Sequence, residues 1–127
     1  MDTRQQALLY LTYLLVYSDG EFDENERHAI KYICGVEGIS DDDYQGFLIK
    51  CQDYSEREIF ENGISLLEDC NEDDKTAVFV WLYKLSEADG IVHAKEVRFL
   101  LYSLRRASIN FDIVKEAASQ VANIPVN

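Results

Sequence analysis

The chain has 127 residues, the length of one domain, and its 24 acidic against 12 basic residues leave a net charge of −12. An apolar fraction of 47%, with eight Tyr, six Phe and one Trp, excludes a disordered chain. The charge excludes phosphate-backbone recognition of nucleic acid, which needs a basic patch to release counterions. It favours divalent cations, protein partners with basic surfaces or simple solubility, and a solvated acidic surface accounts for most of the excess.

The first helix is expected to begin at Thr3, with Gln6 completing a Thr-x-x-Gln capping box. From residue 7 to residue 17 it is apolar nearly all round, Thr12 excepted. A helix without a polar face is buried on every side, so this one is expected at the centre. It has too few residues to cross a bilayer, and no A-x-A site follows it, so neither membrane insertion nor a secretory leader is expected. Gly20 is placed to end it, and Asp23 to cap the second helix, whose buried stripe is Ala29, Ile30, Ile33 and Cys34. Gly35 and Gly38 are expected to stop that helix.

Ser40 caps a third helix through Asp41, Asp42 and Asp43, which the helix dipole favours in a first turn. Ser55 and Glu58 form a Ser-x-x-Glu box opening a fourth, with Ile59, Phe60, Gly63, Ile64 and Leu67 on one face. Asn71 and Asp74 open a fifth, which carries the second apolar run, residues 77–83, and is likewise expected at the centre. Gly90 ends it, and His93 takes the capping position that Asp23 holds earlier. The sixth helix turns Val97, Leu100, Leu101 and Leu104 inward, and Asn110 caps a seventh through Ile113, Val114, Ala117, Ala118 and Val121. The tail from Pro125 is expected to be loose. Cys34, Cys51 and Cys70 show no C-x-x-C spacing and read as reduced, mostly core-facing thiols of a cytoplasmic protein.

The two apolar runs belong to an internal repeat. Aligned from Ala7 and Ala77, the copies share Tyr13/Tyr83, Leu15/Leu85, Asp19/Asp89, Gly20/Gly90, Glu26/Glu96, Tyr32/Tyr102 and Ile39/Ile109. The paired tyrosines are expected in the core. The whole reads as one all-α domain over residues 1–127: a compact bundle of about seven helices built from two related units, about 7–39 and 77–109, with a pseudo-twofold repeat.

Each copy holds Asp-Gly with a Glu six positions after the glycine, which is the second half of an EF-hand calcium loop. The first half is missing. Its acidic positions fall on Leu15 and Tyr17 in one copy and on Leu85 and Glu87 in the other, so an ordinary EF-hand is excluded on ligands. Packing of the central helices against each other would bring Asp19, Glu26, Asp89 and Glu96 to one end of the domain, with Asp23, Glu24 and Glu87 as outer members. Four carboxylates there repel unless a cation or bound protons compensate, and an all-oxygen set suits Ca²⁺, Mg²⁺ or Mn²⁺. The alternative requires no metal: the glycines end helices, the glutamates complete capping boxes, and the aspartates serve turns.

Paired Ser/Ala-Asp-Gly turns, Ser18-Asp19-Gly20 with Glu26 and Ala88-Asp89-Gly90 with Glu96, in a small acidic helical chain resemble the tellurite-resistance protein B (TerB-like) family. The resemblance covers residues 7–109. It implies about seven helices, no established enzymatic activity, a divalent-cation site at the acidic turns and an association with stress responses. The expected function is therefore a small acidic, non-enzymatic TerB-like binding or scaffold protein with a weak divalent-cation site and protein partners. The alternatives are a metal-free protein-interaction module and a carboxylate-based hydrolase.

Overall fold

The structure, a computed structural model, describes residues 1–17, 24–87 and 94–125. Seven helices account for most of them: α1 (Thr3–Tyr17), α2 (Glu24–Glu37), α3 (Asp41–Cys51), α4 (Glu56–Glu68), α5 (Glu72–Ser86), α6 (Ala94–Arg106) and α7 (Phe111–Ser119). Among the described residues there is no strand.

Local chemistry sets the helix starts. The side chains of Ser40, Asn71 and Asn110 accept from the backbone N–H groups of Asp43, Asp74 and Asp112, and Ser55 with Glu58 makes a complete capping box. The first cap lies one residue earlier than its sequence signal. Asp2 Oδ1 accepts from Gln5 N at 2.8 Å and Gln5 Oε1 accepts from Asp2 N at 2.9 Å, so the reciprocal pair is Asp2–Gln5 rather than Thr3–Gln6.

Helix ends follow the repeat. Gly38 takes φ +74°, and Ile39 N donates to the Cys34 carbonyl at 2.9 Å. Seventy residues on, Ser108 takes φ +58° and Ile109 N donates to the Leu104 carbonyl at 3.0 Å. Both are Schellman stops, which return a carbonyl otherwise left unbonded to an N–H just beyond the helix. Gly35 does not stop α2; it sits inside the helix, exposed. The caps that follow, Ser40 and Asn110, keep the same offset. The helical correspondence thus runs α1-α2-α3 onto α5-α6-α7, with α4 between the two sets.

The two apolar helices form the centre. Ala7, Leu8, Leu11 and Leu15 of α1 and Val78, Phe79 and Leu82 of α5 have no exposed surface, and the two helices pack on each other. Each of these leucine, valine and phenylalanine side chains contributes about 1.5–3 kcal/mol on burial. Thr12, the polar exception, is buried and satisfied because its hydroxyl donates to the Leu8 carbonyl at 2.6 Å. Around this pair the second helix of each unit packs on both central helices: α2 lies against α1 and α5, with Tyr32 edge-on to Trp81, and α6 lies against α5 and α1. Helix α4 covers α1, and α7 covers α5. Leu101 and Tyr102 stay on the surface, contrary to their expected burial, because Leu100, Ser103 and Leu104 supply the inward stripe of α6; on α7 Val114 and Ala118 are buried and Ile113 is exposed.

No helix of the described residues is long and apolar enough to cross a membrane.

Candidate functional site

Of the four carboxylates expected to bind a cation, Asp19 and Asp89 lie outside the described residues, with both Asp-Gly turns, Asp23 and His93. Glu26 and Glu96 stand third in α2 and α6. From that position a glutamate reaches back to an N-cap amide, and from the same position it closes a calcium loop. Glu26 is half-buried with its Oε2 shielded from solvent; the side chain of Glu96 lies outside the description. Nearby, Glu24 is exposed at the head of α2, 3.7 Å from Arg27. Glu87 follows α5 and accepts from the Tyr83 hydroxyl, a bond that raises the phenol above its ordinary pKa. Leu15 and Leu85, at the missing EF-hand positions, are core residues. Among the described residues no group of three or more His, Cys, Asp or Glu side chains is placed to hold a metal ion.

A different carboxylate organises the opposite end. Glu37, in the last turn of α2, accepts from Arg4 Nη2 at 2.7 and 2.8 Å and from Trp81 Nε1 at 2.6 Å. Its carbonyl accepts from Gln5 Nε2 at 2.7 Å. Arg4 also donates to Asp74 at 3.1 Å, which ties the first turns of α1 and α5 together. The hydrogen bond to Glu37 is the main reason the Arg4 guanidinium lies above its ordinary pKa; burial works against it. The sequence signal for Glu37 is indirect. An acid in a last helical turn opposes the dipole, and so needs a tertiary partner, while a lone Trp in an apolar helix needs an acceptor.

Lys84 is a second such residue. It is the basic residue within the buried part of α5, and only 8% of its surface is exposed. Its Nζ donates to the Val121 carbonyl at 3.0 Å and to Asn123 Oδ1 at 2.6 Å, which holds the chain after α7 against the core and leaves Ile124 buried.

The thiols are unpaired. Burial pushes Cys34 and Cys51 each up to about 11 and raises Cys70, so none is an activated nucleophile.

An open groove of about 550 Å³ lies where α1, α4 and α6 meet, with Tyr13, Tyr54, Phe60, Phe99 and Tyr102 on its walls. Phe60 stacks at a tilt on Tyr102 with centroids 5.4 Å apart, and the Arg106 guanidinium sits 5.4 Å from the Phe60 centroid. Arg106 also pairs with Glu61 at 3.2 Å, which holds that carboxylate below its usual range. No family model matches this chain, and neither a curated protein nor a solved structure does.

Proposed function

We propose that the chain is a small, non-enzymatic binding protein of the kind the TerB-like resemblance implies, taking a divalent cation weakly at Asp19, Glu26, Asp89 and Glu96 and working through protein partners in a stress response within the cytoplasm. What supports this reading is the packing of α1 on α5 from bridged first turns, Arg4 to Asp74, because it sends the chain into both acidic segments from one central helix pair. The placement of both glutamates third in the helices that follow is the second support. With the early loop ligands absent, affinity belongs to the range of about 10⁻⁴–10⁻³ M found for calcium modules of limited ligand charge.

Thermal melts test the site. At about 10 mM Ca²⁺, Mg²⁺ or Mn²⁺ such affinities stabilise by about 1.4–2.7 kcal/mol, a rise in Tm of roughly 5–10 °C. The double variant Glu26→Gln/Glu96→Gln should keep its stability without cation, since Gln can complete any capping box that Glu would, but should lose the cation response. An identical response in wild type and double variant removes the cation from this proposal and leaves the metal-free interaction module.

A further inference from the structure

The aromatic groove between α1, α4 and α6 is not a by-product of the repeat. Its floor is aliphatic and closed, since Leu14 and Ile59 are buried. Five rings rise from that floor: Tyr13, Tyr54, Phe60, Phe99 and Tyr102. Phe60 fixes two of them, edge-on to Phe99 at 6.0 Å and tilted on Tyr102 at 5.4 Å. Tyr13 is held edge-on against Phe47 at 6.1 Å. At the repeat offset of seventy residues, Leu14, Tyr54 and Phe99 correspond to Lys84, Ile124 and Ala29, and all three counterparts are buried. There Lys84 bonds the chain after α7, and Tyr83, the counterpart of Tyr13, packs on Phe111 at 5.8 Å. Where one copy carries isoleucine and alanine, the other carries two half-buried rings that face an opening of about 550 Å³.

Charge and hydrogen bonding set what fits there. Glu56 and Arg57 line the groove side by side, and Glu61 and Arg106 pair next to Phe60. These four charges cancel, so the groove selects no ion, although the chain as a whole carries −12. The other polar groups on its walls are phenol hydroxyls. That of Tyr102 accepts from Arg106 Nη1 at 3.3 Å, which leaves its own hydrogen to donate elsewhere. Tyr54 makes no side-chain hydrogen bond among the described residues. We propose that this groove binds a proline-rich segment of a partner protein in the polyproline II conformation. Such a segment is uncharged, and its apolar rings pack on aromatic faces. Its carbonyls are bare and take donors, while its prolines bring no N–H that would need an acceptor. A partner α-helix would match the rings but not the phenols, because its carbonyls are already bonded within the helix. A second copy of this chain does not supply the segment, since its sequence holds one proline, Pro125.

The inference names the kind of protein partner, and so rests on the reading of the chain as a binding protein but not on its cation site. Three probes are titrated into the ¹⁵N-labelled full chain: decaproline, a chain of the same length in which proline and glycine alternate, and choline. Decaproline should shift the amides of Tyr13, Tyr54, Phe60, Phe99 and Tyr102 saturably. It should bind at least about tenfold more tightly than the alternating chain, which must be ordered on binding and whose N–H groups find no acceptor. Tyr54→Phe/Tyr102→Phe keeps both rings; it should leave the melting curve in place and weaken decaproline by at least about fivefold, through two lost hydrogen bonds. No saturable shift at about 5 mM decaproline, shifts scattered over the surface, equal binding of the two peptides, or unchanged binding by the double variant would overturn the proposal. Choline moving these amides where decaproline does not would also overturn it, in favour of a quaternary ammonium held by the rings. Failure of decaproline leaves the cation response of the melts where it was, and loss of that response leaves the peptide titration where it was, so either proposal can fail alone.

Discussion

Replacing Glu37 with Ala is the sharpest test of how the two units are joined. The side chain is 10% exposed and holds the indole of Trp81 and the guanidinium of Arg4. Its removal strands the indole N–H in a mostly buried setting, which costs about 1–3 kcal/mol. Arg4 loses two hydrogen bonds, but it is one-third exposed and keeps Asp74, so solvent screening limits that loss to less than about 1 kcal/mol. Removing an acid from a helix C-terminus returns about 0.3–1 kcal/mol. The net loss is therefore about 2 kcal/mol. Urea unfolding followed by far-UV circular dichroism should show it as a midpoint lower by about 1–2 M at an ordinary slope. A double-mutant cycle isolates the bond itself. Trp81→Phe should cost at least about 1 kcal/mol less in the Glu37→Ala background than in wild type, because the bond is already gone. Additive losses, or a Glu37→Ala stability within about 0.3 kcal/mol of wild type, would refute the claim that this network ties α2 to both central helices.

Two further outcomes are expected. Gly35→Ala, in open space within α2, should stabilise by about 0.5–1 kcal/mol, whereas Gly63→Ala, whose new methyl would press on Tyr10 and Leu11 at 3.1 Å, should cost about 1–3 kcal/mol by pushing α4 off α1; the same urea series reads both, and equal signs would contradict the close approach. Cys34 and Cys51 are each raised from 9.0 to about 11, so above pH 9 the unfolded chain loses these protons first and stability falls until about pH 11. Two units for each thiol correspond to a loss of up to about 5 kcal/mol for the pair. Cys34→Ala/Cys51→Ala should start less stable at pH 7 and lack that part of the alkaline decline; parallel declines would show that the thiols are not its source.

What could be read directly from the residues were the features that depend on near neighbours. Ser40, Ser55, Asn71 and Asn110 start helices because a cap bonds within three residues of itself, and that reach is the same in a short segment as in the folded domain. Two helices apolar on all sides had to be central, and an offset of seventy residues had to recur in the helix pattern. The inward face of the surface helices was less legible. Leu101 and Val121 are apolar and correctly spaced, yet exposed, because the neighbour that decides burial comes from a distant segment. The acidic turns were prominent in the sequence, but of their four proposed ligands only Glu26 has a described side chain. Only the tertiary structure joined Arg4, Glu37, Asp74 and Trp81, which come from three helices and share no motif. A repeat fixes which positions correspond, but long-range packing decides which helix covers each central one: α4 lies on α1 and α7 on α5, because contact between distant segments is not written in local spacing.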